Sequence, residues 1–126
     1  MAQGDFRRAV ENQNLDAAIA ELAPGVTFRS PVVFKPYEGR DMVAVLLRAV
    51  FEVFEDFRYE AEVASGDREV LMFRARIGER EVEGADFLRF DEDGLITEMV
   101  VMVRPMSGVH ALAERMKAML EAAGAA

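Results

Sequence analysis

Residues 57–90 read FRYEAEVASGDREVLMFRARIGEREVEGADFLRF, and apolar side chains alternate with charged ones along three segments. An alternation of period two is typical of β-strands that bury one face. Ser65-Gly66-Asp67 and Gly78-Glu79 lie between the segments and indicate turns. A third turn at 91–94 precedes a fourth segment, 96–103. Four consecutive strands with short connections predict an antiparallel meander.

Helical patterns flank these strands. Apolar residues recur at i, i+3, i+4 spacing along Gly39–Glu55, which predicts a long amphipathic helix before the first strand of the meander. Residues 109–120 predict a second amphipathic helix after the last strand. This order favours an α+β domain in which helices pack on one face of a curved antiparallel sheet.

The N-terminal third predicts shorter elements. Gly4–Asn12 and Leu15–Leu22 each suit a short helix, with Asn14 as the N-cap of the second and Pro24-Gly25 ending it. Residues 26–30 alternate and predict a short strand, and residues 32–38 predict a loop. We expect a single domain over residues 1–126, with a frayed tail over about 122–126.

Composition excludes several classes of protein. The 126 residues contain no cysteine, so a disulfide, a thiolate zinc site and a cysteine nucleophile are excluded. A net charge of −8 argues against nucleic acid and anionic membranes as partners. No apolar run is long enough for a membrane span, and the first 13 residues lack the apolar segment of a secretory signal. We therefore expect a cytoplasmic protein, whose arginine- and alanine-rich composition is typical of a GC-rich bacterial genome.

The two faces of the predicted sheet differ in charge. One face carries mixed charges, and the other is almost wholly apolar. The charged positions are Arg58, Glu60, Glu62, Arg74, Arg76, Glu83, Arg89 and Glu98.

Asp86 breaks the apolar face, because alternation places it beside Val82, Gly84, Leu88 and Phe90. Burial disfavours the charged form of a carboxyl and raises its pKa, and a neutral carboxyl can donate a hydrogen bond to a ligand oxygen. Two other interpretations remain open. Asp86 lies near a strand end or reaches a buried water or backbone amide, or a one-residue register slip places it in solvent.

Two segments resemble bacterial ketosteroid isomerases. They are DFLRFDEDGLITEM, residues 86–99, and TFRSPVVFKPYEGRDMVAVL, residues 27–46. The resemblance covers nearly the whole chain and extends to the nuclear transport factor 2-like superfamily, which includes SnoaL-like polyketide cyclases, limonene epoxide hydrolases and scytalone dehydratases. It implies a cone, in which a curved sheet wraps around the long helix and leaves a pocket at its open end. It also implies a homodimer that forms through the outer sheet face.

The catalytic groups of the isomerases are only partly present. Asp86 matches their neutral aspartic acid, which donates a hydrogen bond to the steroid enolate. The general base of that family is an aspartate before a proline, and this position is Ser30, before Pro31. The tyrosine donor of the first helix aligns with Phe6. One of three groups is therefore retained, which argues against ordinary steroid isomerisation.

We predict a mostly apolar pocket for a hydrophobic oxygenated ligand, such as a polyketide, terpenoid or steroid-like molecule. Asp86 is the predicted catalytic acid or base, and Ser30 or Tyr59 orients the ligand. Neither a cofactor nor a metal is expected, because the single histidine, His110, has no ligand set around it. The alternative is a non-catalytic binding or dimerisation module whose cavity is filled by methionine and phenylalanine. The other predicted wall residues are Leu47, Phe51, Phe54, Phe57, Leu71, Phe73, Ile77, Leu88, Met99, Val101 and Val103.

Overall fold

A computed structural model describes residues 4–124 and shows the predicted α+β architecture. Within these residues six strands form one curled sheet that does not close, in the order β2-β1-β6-β5-β4-β3. In chain order the elements are α1 (Asp5–Glu11), α2 (Leu15–Ala20), β1 (Leu22–Arg29), β2 (Tyr37–Glu38), α3 (Arg40–Val53), β3 (Glu55–Ser65), β4 (Arg68–Ile77), β5 (Arg80–Phe90), β6 (Ile96–Arg104) and α4 (Met106–Ala122).

The antiparallel meander is confirmed. β3, β4, β5 and β6 pair in sequence, each antiparallel to the next. The sheet continues beyond the meander, because β1 pairs with β6 in parallel and β2 adds to its far side. The inner face of this sheet packs against α3 and α4, and the hydrophobic core lies between them.

The region around Pro24-Gly25 differs from the prediction. Helix α2 ends at Ala20, and β1 already begins at Leu22, so the dipeptide lies inside a strand. The register to β6 shifts between Leu22 and Thr27, which gives the strand an irregularity that accommodates a proline. The predicted cap is confirmed, since the Asn14 side chain accepts a hydrogen bond from the Ala17 amide at 3.1 Å. Tyr37–Glu38, predicted as loop, is the short strand β2.

A bulge in β3 reverses the predicted orientation of its second half. Tyr59 pairs with Phe73, but the register shifts before Ala61 pairs with Met72. Ala61 and Val63 were expected to face inward and are exposed. Glu62, expected on the charged outer face, lies opposite Leu71 and forms an ion pair with Arg7 of α1 at 2.7 Å. The prediction failed because strict alternation does not survive an extra residue.

Helix α4 closes the open side of the sheet. A Cβ at Gly108 would collide with the Val82 side chain, so the start of the helix lies directly on β5. The helix ends at Ala122, where the frayed tail was predicted to begin, and Ala125 and Ala126 lie outside the described residues. No helix in residues 4–124 combines the length and apolarity needed to cross a membrane.

Candidate functional site

A cavity of about 500 Å³ lies between the inner sheet face, α3, α4 and the loop after β1. Its wall is nearly all apolar. Among the described residues, only four of the lining side chains carry a polar group: Ser30, Tyr37, Asp86 and Lys117. A pocket of this size and polarity suits a drug-sized apolar molecule with few polar atoms.

Asp86 projects from β5 into this wall and is 7% exposed. The buried position confirms the strand alternation and excludes the register slip. The Tyr59 hydroxyl donates a hydrogen bond to Asp86 Oδ2 at 3.1 Å. Asp86 Oδ1 has no hydrogen-bond partner in residues 4–124. One carboxyl oxygen is therefore held by the protein while the other remains available to a ligand.

Burial dominates the electrostatics of this pair. Desolvation raises the pKa of Asp86 to about 7, and the hydrogen bond from Tyr59 opposes that rise. The pKa of Tyr59 is raised well above its usual range, first by burial and then by the Asp86 charge, so its hydroxyl remains a donor. Near neutral pH, Asp86 is present in both its neutral and its charged form.

Helix α1 holds Tyr59 in place. The guanidinium of Arg7 lies over the Tyr59 ring, 5.7 Å from its centroid. Arg7 is itself fixed by Glu11 at 3.0 Å and by Glu62 at 2.7 Å. Sequence reasoning missed this cluster, because Glu62 reaches Arg7 only through the bulge in β3.

Ser30 lies on the cavity wall, as predicted, but the protein already uses its oxygen. The hydroxyl oxygen accepts hydrogen bonds from the Val32 amide at 2.9 Å and the Val33 amide at 3.2 Å. Its proton is left to donate to a ligand. A neutral hydroxyl in this arrangement can orient a ligand oxygen, but it cannot replace a carboxylate base.

Packed aromatic rings build the wall opposite the loop. Phe57 stacks on Phe73 with ring centroids 4.9 Å apart, and Phe54 packs on Phe73 at 5.6 Å. Phe51 meets Phe57 edge to face at 5.1 Å. Rings that contact one another in this way keep the cavity shape fixed, since none can rotate without displacing a neighbour.

Residues 4–99 match the family model of the SnoaL-like domain. The chain belongs to the SnoaL-like family. This places it in the nuclear transport factor 2-like superfamily, as its segments and its curled sheet indicate. Among curated proteins, none matches the chain.

Solved structures share this fold, and three of them show the range of the likeness. A steroid delta-isomerase from Pseudomonas aeruginosa has a TM-score of 0.90 and 41% identity, over 99% of this chain and 98% of that chain. A cystatin-like-fold protein from Silicibacter pomeroyi has a TM-score of 0.88 and 33% identity, over 93% and 83%. A SnoaL-like protein from Burkholderia thailandensis has a TM-score of 0.65 and 18% identity, over 80% and 90%, and this likeness concerns the fold alone.

Most of the predicted wall of this SnoaL-like domain lines the cavity, and five residues do not. Leu71, Ile77 and Leu88 are buried in the core and are not among the residues that line the cavity. Val103 packs against the core opposite Gly84. Tyr59 contacts Asp86 but does not line the cavity, so the predicted direct contact of Tyr59 with a ligand is not seen in the wall. The predicted residues on the wall are Ser30, Leu47, Phe51, Phe54, Phe57, Phe73, Asp86, Met99 and Val101.

Sequence reasoning missed the contributions of two helices and the loop. Helix α4 turns one side toward the cavity, and the stripe of Leu112, Met116 and Leu120 was a signal that could have shown it. Phe6 of α1, 2% exposed, also lines the cavity. The remaining unpredicted lining residues are Phe28, Pro31, Val32, Val33, Tyr37, Met42, Leu46, Val50, Ala113 and Lys117.

A second buried carboxyl, Glu69, lies off the cavity wall on β4, opposite Leu88. Burial raises its pKa, and the charge of Glu62 adds to that rise. In residues 4–124 there is no group of three histidine, aspartate or glutamate side chains that could hold a metal ion.

Proposed function

We propose that this SnoaL-like protein binds a hydrophobic small molecule whose hydroxyl or carbonyl oxygen contacts Asp86. One observation carries the proposal. A carboxyl with a pKa of about 7 lies on the wall of an otherwise apolar cavity, with Oδ2 held by Tyr59 and Oδ1 without a partner in the described chain. A ligand oxygen that contacts Oδ1 would form the hydrogen bond that the described chain does not supply.

Asp86 would provide acid–base chemistry without a cofactor. In its neutral form it donates a hydrogen bond to a carbonyl oxygen and stabilises negative charge that develops there. In its charged form it accepts a proton, and a pKa close to neutrality suits both roles. These properties support an isomerase-, cyclase- or dehydratase-type reaction, with Ser30 orienting the ligand.

A second function, binding without catalysis, is favoured by Ser30. The Pseudomonas aeruginosa relative is a steroid delta-isomerase, but Ser30 occupies the position of the isomerase base and accepts two backbone hydrogen bonds. An assay of the protein with a Δ5-3-ketosteroid separates the two functions. Ligand binding with no turnover above the Asp86→Asn variant would support the non-catalytic module.

The binding proposal is tested with two probes that differ by one hydroxyl, 2-naphthol and naphthalene. We expect calorimetry at pH 6 to show about tenfold tighter binding of 2-naphthol, the value of one good hydrogen bond. The double variant Asp86→Leu/Tyr59→Phe removes both polar partners without leaving either unpaired. Its preference for 2-naphthol should fall to about twofold or less.

The matched control is Glu92→Gln, which removes a carboxylate from the exposed turn between β5 and β6. It should retain the full preference of the native protein. The proposal is wrong if neither probe binds the native protein, or if the double variant keeps the preference for 2-naphthol.

We also propose that two copies pair through the outer sheet face. The structure shows an apolar band across this face, flanked by charged rows. Its exposed residues are Met72, Phe87 and Met102, on the adjacent strands β4, β5 and β6. One flanking row is Arg74, Glu83 and Arg104, joined by ion pairs at 3.1 and 2.6 Å. Such a band can bury itself against a second copy related by a two-fold axis.

A further inference from the structure

The mouth of the cavity carries unpaired positive charge. The sequence contains two lysines: Lys117 lines the cavity, and Lys35 belongs to the loop between the lining residues Val33 and Tyr37 without lining the cavity itself. Both lysines are exposed, and neither forms an ion pair with a carboxylate of residues 4–124. This holds for Lys117 although Glu114 and Glu121 lie one turn away from it on α4. Both ammonium groups are therefore available to bind an anion.

The charged groups of the wall lie at two different depths. Among the residues described, Asp86 and Lys117 are the only lining residues whose side chains carry a carboxyl or an ammonium group. Asp86 is 7% exposed, whereas Lys117 lies on the solvent-exposed side of α4. The rest of the lining is apolar apart from Ser30 and Tyr37. A ligand that fills the cavity thus meets a hydrogen-bonding group inside, an apolar middle and a cation at the entrance.

We propose that the ligand is an elongated apolar molecule with a hydroxyl or carbonyl group at its buried end and a carboxylate at its outer end. The inference rests on the proposed function, because it assumes that the buried end contacts Asp86. Lys117 binds the carboxylate, and Lys35 adds to the attraction from the loop. A single ammonium is a point charge that suits a monovalent carboxylate, whereas phosphate is commonly held by arginine forks or by backbone amides. The lining contains no arginine.

The test compares 6-hydroxy-2-naphthoate with its methyl ester, which has the same rings and hydroxyl but no charge. At pH 7.5 and low salt, we expect the acid to bind about fivefold tighter, the upper range for an exposed ion pair. Lys117→Gln should abolish this preference by weakening the binding of the acid more than that of the ester, and Lys117→Arg should retain most of it. Lys35→Gln should reduce the preference by a smaller factor. The preference should shrink in about 0.5 M salt, which screens exposed charges.

Arg115→Gln is the matched control, because it removes a cation from the same helix at a residue that does not line the cavity. It should keep the preference for the acid. Equal binding of acid and ester by the native protein would overturn this inference and leave the proposed function standing. An equal loss of both affinities in Lys117→Gln would also overturn it, since Lys117 would then act by packing alone. If neither probe binds, the proposed function fails together with this inference.

Discussion

Asp86 carries an ionisable group into an otherwise apolar wall, so its protonation is linked to folding. The folded protein holds this proton up to a pH of about 7, whereas an aspartate in the unfolded chain has an ordinary pKa of 3.8. Between these two values the unfolded chain gives up a proton that the folded chain keeps. The free energy of unfolding therefore falls as the pH rises from about 4 to about 7, and this contribution is constant above that range.

Asp86→Asn should remove this loss of stability. The amide has no charge to desolvate, and its oxygen still accepts the hydrogen bond from Tyr59. At pH 8 we expect the variant to be more stable than the native protein by on the order of 3 kcal/mol, with a smaller difference near pH 4. Denaturant unfolding at both pH values measures the two differences.

Glu69→Gln is the control at this scale, because Glu69 is the other buried carboxyl with a raised pKa. This variant shows how much of the pH dependence of the free energy of unfolding comes from a buried carboxyl outside the cavity wall. Parallel stability profiles of the native protein and Asp86→Asn from pH 4 to 8 would show that Asp86 is not desolvated in the folded state.

For single residues, the sequence predicted the sheet face on which a side chain lies better than it predicted the hydrogen-bond partner of that side chain. Strand alternation placed Asp86 inside, because the period of two holds along β5. The hydrogen bond between Tyr59 and Asp86 joins residues 27 positions apart on strands that are not neighbours. The distance between the Tyr59 hydroxyl and the Asp86 carboxyl depends on the curvature of the sheet, which no local sequence pattern encodes.

Among the elements, β5 packs closely against its neighbours because Gly84 has no side chain. A Cβ at Gly84 would collide with the Met102 carbonyl oxygen on β6 and lie 2.6 Å from Phe73 Cζ. Phe73 in turn lines the cavity and stacks on Phe57. The absence of a side chain at Gly84 thus allows β5 to approach β6 closely and leaves room for the Phe73 ring of the aromatic wall.

Gly84→Ala should be destabilising, because the backbone carbonyl cannot move aside and the Phe73 ring must shift. We expect a loss of roughly 2–3 kcal/mol in the free energy of unfolding, together with weaker ligand binding. Gly25→Ala is the matched control, because no atom lies within 4 Å of the added Cβ, and it should cost well under half as much. Equal costs for the two variants in denaturant unfolding would contradict the tight packing at Gly84.

The element boundaries show where the sequence was informative. The helix α3 and the four meander strands follow from clear periodicity. The bulge between Tyr59 and Ala61 could not be found, because the sequence continues to alternate while the register does not. That one extra residue turned Glu62 toward Arg7 and created the support for Tyr59.

For the whole molecule, the proposed assembly depends on the outer sheet face. Met72 and Met102 flank Ala85 in the strand pairing and are 43% and 57% exposed. Charged rows on both sides of this apolar band would orient a second copy. The band lies on the face opposite the cavity, so pairing would leave the mouth open.

Met102→Glu should disrupt the proposed homodimer, because it places a charge at the middle of the apolar band that pairing would bury. We expect light scattering with size exclusion to give a dimer for the native protein and a monomer for the variant at micromolar concentration. Met106→Glu is the control, since Met106 is 76% exposed at the start of α4, outside the band, and this variant should stay dimeric. A native protein that is monomeric throughout would refute the proposed pairing.

The global architecture was only partly predictable. Resemblance and strand order implied the cone, but the parallel pairing of β1 with β6 brings together residues about 70 positions apart. The cavity volume is equally inaccessible to sequence reasoning, because it is the space left over after α3, α4 and the sheet have packed. Whether methionine and phenylalanine would fill this space depended on small differences in helix position.

At neutral pH, Asp86 is an acid held near half-protonation at the wall of the cavity. Its carboxyl carbon can be followed directly by ¹³C NMR titration, with Asp86→Asn identifying the signal. We expect a midpoint near pH 7, and a higher midpoint in Tyr59→Phe, because the hydrogen bond that stabilises the charged form is lost. A midpoint near 4 in the native protein, unchanged in Tyr59→Phe, would contradict the account.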